Sequence, residues 1–204
     1  MLSFVIDTNF FINLQRPLNL GNNKEEVVVA FHKLALPLIK KQLIVLYTTP
    51  NSFKELSAFY QDDTQTIKLL SELLTIGSYN SNKLQIQAHL FYKLIEQAGK
   101  RLYRGLRVAE EPLKELLGND NYSKTDINTK INQLREKYRR ATREGFLDST
   151  IDLELILLCK DRDAVIVSTD RGLLEWARDF GCNELLPELF VNKLKALGQA
   201  SNFD

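Results

Sequence analysis

Cysteine and histidine are nearly absent from this 204-residue chain, at two residues each. Cys159 and Cys182 lie in apolar sequence, where buried thiols are expected. Neither they nor His32 and His89 are spaced as zinc ligands, so a zinc site is not expected. Reduced thiols fit a cytoplasmic protein. The opening "MLSFVIDTNFF" has no basic leader and no small-residue cleavage site, so no signal peptide is expected. No apolar run approaches the roughly 20 residues that a membrane helix needs, and no membrane partner is expected. Glycine is scarce, and no glycine-rich phosphate loop follows "LSFVID" or "DAVIVST", which argues against a nucleotide-binding α/β protein.

What is present is ordinary globular material, 44% apolar and 26% charged, enough for one domain or one domain with a large insertion. The net charge of +1 hides an asymmetry. Residues 100–144 hold twelve Lys/Arg against seven Asp/Glu, a net of +5, which leaves −4 for the rest of the chain. A basic segment on an acidic body suits an enzyme that grips a polyanion with one part and holds divalent metal with the other.

"LSFVID" reads as a buried strand ending at Asp7, "QLIVLYTT" as a second and "DAVIVST" as a third that runs up to Asp170. "KEEVVVAFHKLA" reads as a helix with Pro37 close to its end, and "PNSFKELSAFY" as a helix opened by Pro50 or Asn51. "STIDLELILLCK" and "RGLLEWARDFG" are further helices, the latter closed by Gly181, and "CNELLPELFVNKLKAL" supplies a short strand or turn and a last helix. Strands alternating with helices predict an open, mostly parallel sheet flanked by helices.

The middle of the chain follows another rhythm. Leu84, Ala88, Phe91, Ile95, Ala98 and Leu102 recur at alternating spacings of four and three, and Ile127, Ile131, Leu134, Tyr138 and Ala141 repeat the pattern. Two such helices around the polar connection "EEPLKELLGNDNYSKTD" predict an inserted helical hairpin over 81–144, in an α/β body of 1–80 and 145–204.

Four aspartates mark the candidate site. Asp7 and Asp170 sit at the carboxyl ends of predicted strands, the sheet edge where ligands bind. Asp148 and Asp152 are spaced i, i+4 near the start of a helix, which puts them on one face. The positive end of the helix dipole is too weak to balance four carboxylates packed together, whereas a hard cation such as Mg²⁺ or Mn²⁺ can. Each residue also has a plainer explanation: Asp7, Asp148 and Asp170 as turn or helix caps, and Glu55 as a solvated glutamate rather than a fifth, outer carboxylate. Asp152 is harder to dismiss, being a poor helix former beside so much leucine. Thr8, Asn9, Ser168 and Thr169 are placed either to orient ligands and waters or simply to form turns.

"FVIDTNFFI", "FLDSTIDLELILL" and "AVIVSTDRGL" resemble the sequence blocks of the PIN-domain nucleases. The resemblance implies a PIN-like fold in which Asp7, Asp148, Asp152 and Asp170, with Glu55 as a weaker match, hold one or two Mg²⁺ or Mn²⁺ ions and hydrolyse RNA phosphodiesters. The opening "DTNFFINLQRP", the chain length, the insertion and "LREKYRRATREGFLDSTIDLELILL" are similar, more closely, to the small protein-only ribonuclease P family. That likeness implies removal of the 5′ leader from precursor tRNA without an RNA subunit. It also implies a homo-oligomer built through the inserted hairpin, with positions such as Phe91 and Leu134 between subunits.

Arg135, Arg139 and Arg143 fall on one face of the second inserted helix, flanked by Lys137 and Arg140, and Arg101, Arg104 and Arg107 cluster on the first. They form either solvated faces or tracks for an RNA backbone, the first leading toward Asp148 and the second suited to the tRNA elbow. Two rival readings are a toxin-type PIN endonuclease and a non-catalytic RNA-binding assembly module. The first is usually a much shorter chain, and the second tends to lose members of the acidic quartet.

Overall fold

The apolar run before Asp7 forms β1 (Leu2–Ile6), whose Phe4, Val5 and Ile6 are fully buried. In the computed structural model, which describes residues 1–13, 20–117, 124–143 and 149–200, β1 is the centre of a five-stranded sheet. Its partners are β2 (Ile44–Thr48), β3 (Leu74–Ile76), β4 (Val165–Val167) and β5 (Asn183–Leu185), in the order β3-β2-β1-β4-β5. Every pairing is parallel. Register sets Phe4 opposite Leu46 on one side and Val165 on the other. The chain adds strands first on one side of β1 and then on the other, so the topological switch point lies between β1 and β4. The crevice outside their carboxyl ends is where such sheets bind ligands.

Helices cover the sheet. The one-turn α1 (Asn9–Ile12) buries Phe10 and Phe11, and α2 (Lys24–Lys40) buries Val27, Val28, Phe31, Ala35 and Leu38 along one face. Phe10, Phe31 and Phe190 meet Phe4 in an aromatic cluster, with ring centroids 4.7 Å apart for Phe10–Phe31 and 4.8 Å for Phe4–Phe190. Each buried phenylalanine contributes about 1.5–3 kcal/mol of transfer free energy, so this cluster anchors the segment that follows Asp7. Asn23 caps α2 by accepting from the Glu26 N–H at 2.7 Å. Pro37 does not end this helix as its position suggested, because α2 runs on to Lys40. Proline there removes one backbone hydrogen bond, and packing of α2 against the neighbouring helices offsets the loss.

Thr49 caps α3 (Pro50–Ala58), and Ser149 caps α7 (Thr150–Asp161). Pro50 takes the first helical position, where its missing N–H costs nothing. Two elements arise where the sequence offered no motif, α4 (Thr64–Leu73) and β3. The Asp63 carboxylate caps α4 by accepting from the Thr66 N–H and hydroxyl, which holds it below the usual carboxylate range. The helix α8 (Arg171–Asp179) closes on Gly181 at φ +78°, whose N–H donates to the Arg178 carbonyl at 2.8 Å. β5 and α9 (Pro187–Ala200) complete the body, and Cys159 and Cys182 are buried free thiols within it.

The chain divides into two compact units, residues 1–85 with 149–204, and residues 86–148. The second unit is the inserted hairpin, α5 (Ala88–Leu117) and α6 (Lys124–Arg143), packed antiparallel. It differs from the sequence pattern in two ways. Leu84 precedes α5, and α5 passes through Pro112 into the stretch read as connection. The seam is also displaced along the helix. Gly105 rests against Tyr138 and Thr142, and Glu111 pairs with Lys137 at 3.6 Å. Phe91, Ile95 and Leu102 are 57–71% exposed in the single chain. A heptad rhythm fixes which residues share a face, not which part of that face a shorter partner helix covers.

Candidate active site

At the switch point the first residue beyond β1 is Asp7, held by its N–H donating to the Val167 carbonyl of β4 at 3.1 Å. Only 3% of the residue is exposed. Its carboxylate accepts from the Ser168 hydroxyl at 2.5 Å, from the Asn9 side-chain amide at 3.1 Å and from the Thr8 hydroxyl at 3.3 Å. All of these donors are neutral, and among the described residues no lysine or arginine pairs with Asp7. Burial pushes its pKa up from the ordinary value; the hydrogen bonds from Ser168 and Asn9 partly offset this, and the Asp170 charge adds to the rise.

Ser168 joins the two strand-end acids. Fully buried, it donates to Asp7 and accepts from the Asp170 N–H at 2.9 Å. Asp170 is exposed and caps α8, its Oδ1 accepting from the Leu173 N–H at 3.1 Å. The capping explanation for Asp170 is therefore correct, and it leaves the second carboxylate oxygen outside that bond. Thr169 accepts from the Asn13 amide at 3.4 Å, so the one-turn α1 is tied to both strand ends, through Asn9 to Asp7 and through Asn13 to Thr169.

The helix α7 packs on β1 and β4. It leads into a strand parallel to β1, so it runs back across the sheet with its N-terminus toward the carboxyl edge. Asp152 sits in its first turn, half-buried, and Ser149 takes the cap by accepting from the Ile151 N–H at 3.1 Å. Two residues on, Glu154 receives the Asn51 amide at 2.8 and 3.1 Å, which fastens α7 to the first turn of α3 just beyond the end of β2. Glu55, one turn further along α3, is exposed, and its side chain makes no hydrogen bond or ion pair among the described residues. Asp148 lies outside the described residues. Among those described, no three Asp, Glu, His or Cys side chains gather closely enough to hold one metal ion. The structure thus brings Asp7 and Asp170 to one edge and sets Asp152 at the helix end facing that edge.

Sequence reasoning passed over Asn13, Asn51 and Glu154. Asn13 stood in plain view one turn after Asn9, but the Asn51–Glu154 pair spans 103 residues and has no local signal.

The cations read from the sequence all belong to the hairpin. Arg104, Arg107, Arg135, Lys137, Arg139 and Arg140 are exposed, and Arg101 is half-buried. The Arg107 guanidinium lies 5.7 Å from the Tyr103 ring centre, and Arg139 bonds Glu136 of its own helix at 2.8 Å. The Arg143 side chain lies outside the described residues.

Residues 3–198 match the PINc domain ribonuclease family. The RNA-free ribonuclease P of Thermococcus kodakarensis is 37% identical over 198 residues, covering 96% of each chain. That of Pyrococcus furiosus is 36% identical, covering 96% of this chain and 98% of its own. That of Thermodesulfovibrio yellowstonii is 33% identical over 195 residues, covering 95% of this chain and 94% of its own. The chain belongs to the RNA-free ribonuclease P family. Asp7 and Asp170 lie at the carboxyl edge of its parallel sheet, and the hairpin is inserted between β3 and α7. No helix among the described residues is long and apolar enough to cross a membrane.

Proposed function

We propose that this protein is an RNA-free ribonuclease P, a metal-dependent endoribonuclease that removes the 5′ leader from precursor tRNA in the cytoplasm without an RNA subunit. Similarity over nearly the full length of relatives bearing that name supports the activity. The observation that carries the chemistry is Asp7, a buried carboxylate beside Asp170 that no cation among the described residues balances. A buried charge of this kind persists only when paired or bound to metal, and an all-oxygen donor set fits Mg²⁺ or Mn²⁺.

Asp7, Asp148, Asp152 and Asp170 would hold one or two such ions, with Glu55 as an outer carboxylate. Bound metal would supply an activated water and charge stabilisation at the phosphate. The chain's own part is positioning. Ser168 and Asn9 fix the Asp7 carboxylate by donating to it, Ser168 also fixes the Asp170 backbone, and Thr8 and Thr169 complete the polar lining. Neutral donors suit this task, because a lysine or arginine in their place would compete with the metal.

Arg135, Lys137, Arg139, Arg140 and Arg143 would track the RNA backbone, and Arg101, Arg104 and Arg107 would grip the tRNA at a distance, reading shape rather than sequence. The exposed apolar face of α5 would pack against a second copy, with Phe91 and Leu134 between subunits. The test is cleavage of 5′-labelled precursor tRNA by the purified protein with Mg²⁺ and with EDTA. A cut at the mature 5′ end that EDTA abolishes is expected; no cut, or one indifferent to EDTA, defeats the reading.

A further inference from the structure

Beside Asp7 the α/β unit carries an open groove of about 380 Å³, lined by Asn9, Ile12, Asn13, Lys24 and Phe59. Its volume lies within the range of small-ligand sites. Three features set it apart from the rest of the surface. First, it shares Asn9 and Asn13 with the network that holds the strand ends, Asn9 donating to Asp7 and Asn13 to Thr169. The groove therefore borders the residues that hold Asp7 in place.

Second, it presents an aromatic ring with no aromatic partner. Phe59 is 46% exposed, lies outside the hydrophobic core and stacks on no other ring among the described residues. Its neighbours in the same turn behave otherwise: Leu56 and Tyr60 are both buried to 2%. Third, a cation stands at the groove. Lys24 donates to the Phe59 carbonyl at 2.8 Å and lies 5.1 Å from the Tyr60 ring centre, and the Tyr60 hydroxyl contacts the carbonyls of Phe11 and Lys24 at 3.4 Å. The groove walls from α1, α2 and the end of α3 are thus fastened to one another, and the Phe59 backbone is fixed while its ring faces solvent.

We infer that this groove takes an unpaired nucleobase of the 5′ leader, next to the scissile phosphate, stacked on Phe59 with Lys24 facing the adjoining backbone. The inference rests on the precursor-tRNA reading above. An exposed aromatic ring beside asparagine amides and an ammonium group is the chemistry that holds single-stranded RNA: the ring takes the base face, the cation the phosphate. The leader side of the cut is favoured because the nucleotide on the other side is paired in the acceptor stem and stacked on the next pair, so its base is not free to turn onto the ring. Only an unpaired base can swing onto the ring.

The experiment compares wild type, Phe59→Ala and Phe59→Tyr. Each is tested for binding and single-turnover cleavage in Mg²⁺ with precursor tRNA, the same RNA with abasic leader nucleotides, and mature tRNA with and without its single-stranded 3′ tail. Phe59→Ala is expected to weaken binding of leader-bearing RNA by about tenfold to a hundredfold. Phe59→Tyr should stay within about twofold, since the ring face is kept. The abasic leader should cost wild type a similar factor and cost Phe59→Ala nothing further, while both proteins bind mature tRNA equally. Equal affinity of wild type and Phe59→Ala for the natural leader would overturn the inference. So would a loss that persists with mature tRNA, or one that disappears only when the 3′ tail is removed. An active wild type indifferent to Phe59 sinks the groove alone, whereas wild type that neither binds nor cuts precursor tRNA removes the parent reading as well.

Discussion

The two units of this chain spend their apolar residues in opposite ways. The α/β unit sinks Phe4, Phe10, Phe11, Phe31 and Phe190 to 1% exposure or less. Such a core holds the sheet edge rigid and lets an acid as costly as Asp7 be buried there. The hairpin unit leaves Phe91, Tyr92, Leu102 and Tyr103 61–72% exposed beside its cations. Two helices have no third layer to cover a broad apolar face, so a hairpin shows partners what a sheet hides. The same contrast runs through the charges. Asp7 is surrounded by neutral donors and lacks a counter-ion among the described residues, while Arg139 and Lys137 already have acidic neighbours in the hairpin. On the function proposed above, a bound cation would complete the first arrangement, and the second would be a solvated surface for which RNA competes.

The comparison breaks most readily at Asp7. Asp7→Asn and Asp152→Asn should each lower single-turnover cleavage by more than about a hundredfold, beyond what loss of an outer-shell partner costs, with RNA affinity kept. Retained activity in both would end the division of labour. Asp7→Asn should also behave distinctively without metal. The native state binds the Asp7 proton more tightly than the unfolded chain does, so in EDTA wild-type stability falls as pH rises from the ordinary aspartate value near 3.8 through the raised native value. The variant has no such proton to lose. Its melting temperature at neutral pH should exceed that of wild type, and thermal scans across pH would expose a mistaken sign.

Next in size is Ser168→Ala, which leaves Asp7 ionisable but removes the hydroxyl that aligns it. About a 10- to 100-fold loss of activity is expected, partly recovered at high Mg²⁺. A loss indifferent to Mg²⁺ would make Ser168 merely structural. On the hairpin side, Arg135→Ala and Arg139→Ala should weaken precursor-tRNA binding and each reduce the salt slope of affinity by about one, with cleavage of bound substrate unchanged. An unaltered slope would mean these cations are only a solvated face.

Smallest is Gly105→Ala. The new Cβ would meet the Tyr138 ring at 2.6 Å, but Tyr138 is 42% exposed and its ring can swing outward. The helix-propensity gain of about 1 kcal/mol offsets that displacement, so hairpin stability measured by denaturant unfolding should move by less than about 1 kcal/mol. A larger loss would show that the seam is set by close approach at Gly105.

Much of the α/β order was legible because the central strands are short apolar runs, Pro50 marks the start of α3 and Gly181 the end of α8, whereas the caps themselves, Thr49 and Ser149, were not the residues the sequence pointed to. β3 escaped notice because three residues at a sheet edge are too few to show a period, and α4 because its buried Thr66, Leu70 and Leu73 form a sparse stripe. Pro37 misled because a local breaker was weighed without the packing that sustains the helix around it. In the site, Asp7 and Asp170 could be paired on paper from their places at strand ends, whereas Asn51 reaching Glu154 could not.

Sequence by itself determined the alternation of elements, the insertion and the residue types available at the sheet edge, because local periodicity and capping depend on near neighbours in the chain. Tertiary structure alone decided that Asp7 would be buried with neutral donors, that Ser168 would bridge it to Asp170, and that Phe59 would face a groove beside them. Those outcomes depend on which distant segments share a crevice, and the energy of a buried charge is set by everything within a few ångströms of it, whatever its separation along the chain.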